Sequence, residues 1–396
     1  MIKGKDIVVI GIQPWDIEIG SNCKDIAREF SKNNRVLFIN IPYSFLEIIK
    51  NKKPEIVKNR LDAIKNPSTA IKKIDNNLYT FTPPIKLWPI NFLPSTALFS
   101  VFNKINNRKL SDSIKKALTE LEFNDFYLFN DQHIFLGYYL KELLKPQLSI
   151  YYIRDNLQIV RYWQKHGHIL EPKLIAKSDI VFTNSLYYEE YAKNYNNQSY
   201  MVGQGCDIQM YRPEKTEVAE ELKNIKKPII GYVGYLSAKR LDVEIISQIA
   251  QDRPDYSIVL VGPESEEFKN SRLHEIPNVI FLGSKSPEQL PSYIKGFDVA
   301  MNPQQLTKAT IGNYPRKIDE YLAMGKATVA TKTKAMEWFK DSVTLCEKAS
   351  DYPQAIDKLL ENDSEELRQK RIKVGYSHSW TTSVNLMYEK IKKLKK

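Results

Sequence analysis

Short apolar runs return along the chain at intervals that leave room for one helix between each pair. In the first half they are IVVIG (7–11), VLFIN (36–40), LYTFT (78–82), FYLFN (126–130), LSIYYI (148–153), DIVFT (179–183) and SYMVG (199–203). PIIGYVG (228–234), YSIVLVG (256–262), NVIFLG (278–283), DVAMN (298–302), ATVAT (327–331) and SVTLC (342–346) continue the series. Amphipathic stretches such as LDVEIISQIAQD and PEQLPSYIKGF separate most of them. Continuous apolar strands alternating with helices predict parallel sheets covered on both faces. Two such series predict an α/β chain of two Rossmann-like domains, 1–205 and 206–376, divided near the polar, proline-bearing segment from Gly205 to Pro228. The closing stretch 377–396, SHSWTTSVNLMYEKIKKLKK, has the pattern of a terminal amphipathic helix. Open parallel sheets bind ligands beyond the carboxyl ends of their strands, so two facing sheets predict a ligand in the cleft between them.

A length of 396 residues suits two domains of ordinary size. The apolar runs are broken by charge well short of the ~18 residues that cross a bilayer, and MIKGKDIVVIGIQPWD enters a strand without a cleavage-site pattern. The expected location is therefore cytoplasmic, with a peripheral position on the inner face of the plasma membrane as the variant. Cys23, Cys206 and Cys346 are far apart and lack CxxC spacing, which fits a reduced compartment and predicts neither disulfides nor a zinc site. The formal charge is +11, and it is unevenly placed: residues 1–205 carry 28 basic against 20 acidic side chains, residues 206–396 carry 30 against 27. Lys50 to Lys73 alone holds eight basic residues against Glu55 and Asp62. A local basic patch points to an anionic surface or ligand.

The strongest local signal is NYPRKIDEYLAMGKATVAT, residues 313–331. Pro315 and Gly325 are ordinary start and stop signals for a helix. Arg316 and Lys317 are not ordinary there, because positive charge in a first turn opposes the macrodipole and calls for a nearby anion. GYVGYLSAKRLDVEII supplies a second cation pair, Lys239 and Arg240, behind the glycine-bearing turn at Gly234. In a parallel sheet both clusters emerge on the same edge, where a diphosphate would satisfy helix ends and cations together. Glu320, one turn deeper, would stand where a ribose diol donates to a carboxylate; its alternative is an i,i+4 salt bridge to Arg316. There is no G-x-G-x-x-G after the first strand and no G-x-x-x-x-G-K-[ST], which disfavours dinucleotide dehydrogenases and P-loop NTPases.

YPRKIDEYLAMGKATVAT, with GYVGYLSAKRLD, IVLVGP, NVIFLG and DVAMNP, resembles the donor-binding domain of GT-B glycosyltransferases, in particular the glycosyltransferase family 4-like group of bacterial surface polysaccharide synthesis. IQPWD, YYIRDN, AKSDIVFTNS and GQGCDIQMYRP are similar to its acceptor domain and interdomain connection. The resemblance implies a nucleotide-diphosphate sugar donor, an acceptor hydroxyl on a sugar or lipid-linked molecule, retention of configuration, and a terminal helix that crosses back to the first domain with a bend near Trp380. Glu320 matches the second carboxylate of the family's E-x7-E motif. The first carboxylate falls at Gly312, a departure that shifts the expected sugar contacts to the backbone around Gly312 and Asn313, next to Tyr314. Lys239 and Arg240 match the diphosphate cations, and the loop from Gly283 to Lys285 is where a base would be read.

No Asp-x-Asp motif stands in a suitable place, so no metal or other cofactor is expected, and the cations would neutralise the leaving diphosphate. Asp16, in the loop after the first strand, and Asp155, after YYIR, are the candidates to orient or deprotonate an acceptor hydroxyl; each could equally be a loop or helix cap. His133 stands at another strand end. The basic window is followed by PPIKLWPINFLPSTALFSVFNKI, in which Trp88, Ile90, Phe92, Leu93, Leu98, Phe99 and Phe102 crowd into a few turns. Residues 50–102 are thus a candidate contact with anionic lipid, against the alternative of a buried helix behind a solvated basic loop. Rival readings are a sugar-nucleotide epimerase or a phosphorylase of the same fold, and a partner protein that binds a nucleotide sugar without transferring it. Nucleic acid is not an expected partner, because the basic window lacks interleaved arginines and stacking positions.

Overall fold

The computed structural model describes residues 1–17, 20–50 and 54–394, so Lys52 and Lys53 of the basic window lie outside the described residues. Contact density divides the chain into two units: 1–184 with 188–203 and 383–396, and 185–187 with 204–382.

The first unit is built on an eight-stranded sheet in the order β3-β4-β2-β1-β5-β6-β7-β8. Its strands are β1 (Asp6–Gly11), β2 (Arg35–Ile39), β3 (Ile71–Asp75), β4 (Leu78–Phe81), β5 (Tyr127–Asp131), β6 (Leu148–Ile153), β7 (Ile180–Thr183) and β8 (Ser199–Met201). All neighbours run parallel except β3, which pairs antiparallel with β4. Central strands such as DIVVIG and LSIYYI are buried along their whole length, as strands with helices on both faces must be. Val8, Ile10, Leu37 and Ile39 form one core layer with Leu110 and Ile114 of the helix Thr96–Glu120. Strand β3 is not marked by an apolar run. Its IKKID is largely exposed, and lysines on an edge strand discourage further pairing, so part of the basic window serves the edge of a sheet.

The second unit carries β9 (Ile229–Val233), β10 (Ser257–Val261), β11 (Val279–Phe281), β12 (Val299–Asn302), β13 (Ala327–Thr331) and β14 (Thr344–Cys346). They are all parallel, in the order β11-β10-β9-β12-β13-β14. The order reverses between β9 and β12, the switch point at which doubly wound sheets open a crevice. The helix Arg316–Ala323 lies between β12 and β13. Pro315 is its cap residue rather than its first helical residue, and Gly325 ends it with φ +73. Gly325 N–H donates to Leu322 O at 2.8 Å and Lys326 N–H to Tyr321 O at 2.9 Å, the paired bonds of a left-handed glycine stop.

The terminal helix, Trp380–Leu394, starts in the second unit and continues in the first. Residues 377–382 stay with the second unit because His378 pairs with Asp319 at 2.7 Å and its carbonyl accepts from Cys206 N–H at 3.1 Å. Further on, Tyr388 accepts from Asn34 Nδ2 at 2.9 Å and packs near Phe30, within the first unit.

Candidate functional site

A cavity of about 390 Å³ opens at the switch point of the second sheet. Tyr232, Val233 and Gly234 at the end of β9 form one wall, and Asn302 and Gln304 at the end of β12 form the next. Arg240, Asn313, Tyr314, Arg316, Lys317 and Glu320 close it. Of the expected donor residues, the structure therefore brings Gly234, Arg240, Asn313, Tyr314, Arg316, Lys317 and Glu320 to one place. Their sequence origins are two separate crossovers, as the charge pattern required.

Gly234 has φ +138, and a Cβ there would meet Lys317 Cε at 2.1 Å. The missing side chain is the space through which Lys317 crosses the strand end, its Nζ 5.3 Å from the centre of the Tyr232 ring. The turn bearing Arg240 is tied to the loop after β12: Arg240 O accepts from Gln305 N–H and Asp242 N–H donates to Pro303 O, both at 2.9 Å. The helix Arg316–Ala323 begins without a side-chain cap; its Arg316 and Ile318 amides donate to Tyr314 O at 3.1 Å and Pro315 O at 2.8 Å, so the cation pair is what this helix end presents to the cavity.

Glu320 is 6% exposed and takes the Arg316 Nε at 3.3 Å, so the i,i+4 pair is formed. Burial works against the Arg316 charge, yet Glu320, ahead of Cys206 and Tyr211, more than offsets it and leaves its pKa raised. Burial first, and Glu320 next, hold the Tyr211 hydroxyl protonated far above its ordinary range. On the opposite face of the helix Asp319 is fully buried; that burial lifts its pKa to about 6 against the pull of His378 and Tyr314.

Three expected donor residues stand elsewhere. Lys239 is 80% exposed and faces Glu267 at 3.8 Å, on a separate shallow cavity that it shares with the outer side of Arg240. Consecutive side chains in a tight turn point different ways, so the Lys-Arg pair splits, with Arg240 alone reaching the switch-point cavity. Gly283 follows β11 at the sheet edge, two strands from the switch point; it has φ +68, open space around it, and a carbonyl that accepts from Gly262 N–H at 2.9 Å. Gly312 lies behind the lining, its carbonyl taken by Ser185 Oγ at 2.8 Å.

Asn302, Gln304 and Thr310 line the cavity without having been singled out in the sequence. Gln304 Nε2 donates to Thr310 O at 2.7 Å and pins the loop that leads to the helix. Asn302 Nδ2 is buried with no partner, a donor left for a ligand. The available signal was polar residues directly after an apolar strand, in DVAMNPQQ.

In the first unit Asp155 is half exposed and pairs with Arg154 Nη1 at 2.7 Å. Arg154 Nε also reaches the fully buried Asp131 at 3.0 Å. Gln132, at φ +55, accepts from the Arg154 and Asp155 amides at 3.1 Å each, so the backbone at Asp155 is clamped. Asp16 is held by Arg60 Nη1 and by Asn59 Nδ2, the latter at 3.1 Å. Each candidate carboxylate thus has a guanidinium already committed to it. His133 is buried, and burial lowers its pKa to about 4.

The same unit exposes apolar side chains. Phe92 is 70% and Trp88 58% exposed, with Phe45, Ile49, Leu98 and Val101 also open to solvent, whereas Phe99 is buried. Lys109 Nζ lies 5.4 Å from the Trp88 ring centre, and Lys165 Nζ donates to Phe92 O at 3.2 Å. Among the described residues no helix is long and apolar enough to cross a membrane.

Residues 227–362 match the family model Glycosyl transferases group 1. The chain is 23% identical over 252 residues to TuaH of Bacillus subtilis (strain 168), provisionally assigned as a teichuronic acid biosynthesis glycosyltransferase; the match spans 61% of this chain and 62% of that relative. HepE of Anabaena, solved with UDP and glucose, is 14% identical with a TM-score of 0.63, covering 98% of this chain and 100% of its own. Sucrose-phosphate synthase of Thermosynechococcus elongatus is likewise 14% identical with a TM-score of 0.63, over 98% and 99%. The chain therefore has the GT-B fold, and its match to the Glycosyl transferases group 1 model lies within the second unit.

Proposed function

We propose that the protein is a glycosyltransferase that moves a sugar from a nucleotide-diphosphate sugar to an acceptor hydroxyl in cell-surface polysaccharide or glycolipid synthesis, with retention of configuration. The observation that carries this reading is the convergence of Arg240, Arg316 and Lys317 with Glu320 on one switch-point cavity. Glu320 grips the ribose hydroxyls, and Arg240 and Lys317 face the diphosphate. In transfer the bond from the sugar C1 to the diphosphate oxygen breaks, a bond from C1 to the acceptor oxygen forms, and the acceptor proton passes to the departing diphosphate. Negative charge grows on the departing diphosphate, where fixed cations stabilise the transition state more than the ground state. Cationic side chains meet that charge in this reading, with no metal. The UDP bound by HepE favours a uridine donor, and the assignment of TuaH favours a surface-polymer acceptor.

The first unit supplies the acceptor site, and its exposed apolar side chains with Lys109 and Lys165 beside them suit the surface of an anionic bilayer. Liposome sedimentation with and without anionic lipid tests this part: binding that rises with lipid charge is expected, and indifference to it removes the membrane contact. For the reaction itself, nucleotide release is followed with a panel of sugar donors and a membrane extract as acceptor source. Acceptor-dependent release from one donor is expected. Binding without release would instead favour a non-catalytic nucleotide-sugar partner, the reading that the glycine at 312 keeps open, and a changed sugar on an intact nucleotide would favour an epimerase.

A further inference from the structure

Asp319, one residue before Glu320 on the helix Arg316–Ala323, is a carboxyl that the donor reading leaves unused. It is fully buried, and its Oδ1 accepts from His378 Nδ1 at 2.7 Å. The Tyr314 hydroxyl also stabilises the charged form of this carboxyl, and Tyr314 belongs to the wall of the switch-point cavity. The two partners are joined a second time through Phe339, whose ring centre lies 5.4 Å from that of Tyr314 and 5.5 Å from that of His378. Tyr314, Asp319, His378 and Phe339 thus close a packed ring behind the cavity wall, and Trp338 adds a further aromatic face 5.8 Å from His378. All of these residues lie in the second unit.

His378 is the braced end of this ring. Its N–H donates to Gly375 O and its carbonyl accepts from Cys206 N–H, both at 3.1 Å. Tyr314 is the end that meets the cavity. A buried ion pair is weak evidence for stability, since well-packed apolar side chains in its place often serve as well or better. Its position between a braced histidine and a cavity-wall tyrosine is therefore explained by orientation. Other titratable groups nearby have partners of their own or answer first to Glu320. Glu320 itself takes Arg316 at 3.3 Å, and Arg371 of the packed helix Glu365–Ser377 binds Gly325 O at 3.0 Å and Asp363 at 2.6 Å. Cys206 and Tyr211 are held protonated by burial, with Glu320 as the next cause.

An ionised Asp319 accepts from both partners at once, whereas a protonated one has a donor in place of one acceptor and releases one of them. Burial lifts this carboxyl to about 6, so the exchange falls in an accessible pH range. Stability and binding then answer to pH with opposite signs. The folded state holds the proton, so stability falls as pH rises through that window; the charged form holds the wall, so binding strengthens.

We propose that Asp319 and His378 are positioning residues of the switch-point cavity: a charged Asp319 holds Tyr314 in the wall against the braced His378, so that binding there depends on a carboxylate the ligand does not touch. That the ligand is a nucleotide-diphosphate sugar rests on the transferase reading; the coupling of Tyr314 to Asp319 does not.

Calorimetric titration with uridine, guanosine, adenosine and thymidine diphosphate glucose, on the intact wild type, Asp319→Asn and Tyr314→Phe across the window of the Asp319 carboxyl, tests it. A nucleotide sugar is the probe because both its phosphates are esterified and neither titrates there, unlike the terminal phosphate of a free diphosphate. At least one should bind the wild type about five-fold or more tightly above the window than below it. In both variants the affinity should stay near the wild type's low-pH value and lose its pH dependence, while urea denaturation shows wild-type stability moving the other way. Separately, 3-fluorotyrosine NMR of the ligand-free protein, with the Tyr314 resonance assigned by its absence in Tyr314→Phe, should show that resonance titrating with Asp319 in the wild type and not in Asp319→Asn. Melting temperatures report whether each variant is folded. If Asp319→Asn fails to fold, Tyr314→Phe decides, because it loses one hydroxyl and keeps the ring and the ion pair. A titrating Tyr314 without binding of any nucleotide sugar defeats the transferase reading alone. Nucleotide-sugar binding that keeps its strength and pH dependence in the folded variants, or wild-type affinity that falls together with stability, or a Tyr314 resonance that does not titrate, overturns the positioning pair.

Discussion

The two cavities at the strand ends of the two units differ in how they are charged. The second unit's cavity is lined by Arg240, Arg316, Lys317 and Glu320, an excess of two positive charges, and its shape depends on a glycine that lets a lysine cross the strand end. The first unit's cavity, of about 680 Å³, is lined by Asp16, Asp62, Lys65 and Lys72, whose charges cancel, and otherwise mainly by uncharged polar groups. A diphosphate leaving group needs fixed positive charge at the point where its own charge grows. A neutral hydroxylated ligand needs donors and acceptors in pairs instead, and excess charge there would add a desolvation cost without a return. The contrast teaches that two similar sheets of one chain can carry cavities of different electrostatic character at their strand ends.

The largest test of that contrast is Arg240→Ala, expected to lower kcat about 10²–10³-fold, the usual cost of one donor at a charge-developing oxygen. Lys239→Ala, one residue away but facing Glu267, is expected to stay within a few-fold of wild type. Equal losses in steady-state kinetics would erase the distinction between the two cations. Glu320→Ala should weaken nucleoside diphosphate binding about 10–100-fold in calorimetry, because it removes the ribose acceptor and strands Arg316. Next comes Asp319, whose buried carboxyl sits at about 6 in the folded chain against an ordinary 3.8. A raised carboxyl pKa means that the folded state holds its proton longer, so stability falls as pH rises from about 4 through about 6. Relative to Asp319→Asn, the wild type should lose about 1.4 kcal/mol for each pH unit crossed in that window and level off above it, as read by urea denaturation. A wild-type stability that instead rises relative to Asp319→Asn across that window would reverse the assignment. Gly234→Ala should cost about 1–3 kcal/mol of stability through its positive φ and should also weaken nucleotide binding by displacing Lys317. The smallest effect belongs to the other unit: Phe92→Ser should reduce sedimentation with anionic liposomes several-fold and leave nucleotide affinity unchanged.

The switch-point cavity was legible where its residues are close in the chain. Arg316, Lys317 and Glu320 lie within one and a half turns of a single helix, so their spacing alone places them. Arg240 follows a strand that an apolar run announces. Asn302 and Gln304 needed the strand order, which decides that β9 and β12 are neighbours and which no local pattern carries. Strand order also puts Gly283, expected in the loop that reads a base, after the edge strand β11 and outside the lining of the switch-point cavity. Lys239 was misplaced because a sequence shows adjacency and not direction. Asp16 was named in the first unit, but its pairing with Arg60 was illegible, because it joins residues 44 apart, from a loop and a helix with no shared motif. Strand β3 escaped notice because IKKID has charge where a buried strand has apolar side chains. Residues 377–382 stay with the second unit through a buried Asp319–His378 pair that no helix pattern reveals.

Calorimetric titration of uridine, guanosine, adenosine and thymidine diphosphates, each against its monophosphate, on the wild type and on Arg240→Ala and Lys239→Ala, tests the central arrangement most directly. The account predicts one diphosphate bound clearly more tightly than its monophosphate, an advantage lost in Arg240→Ala and kept in Lys239→Ala. Equal affinity for the two nucleotides in the wild type, or a diphosphate advantage that survives the loss of Arg240, would contradict it.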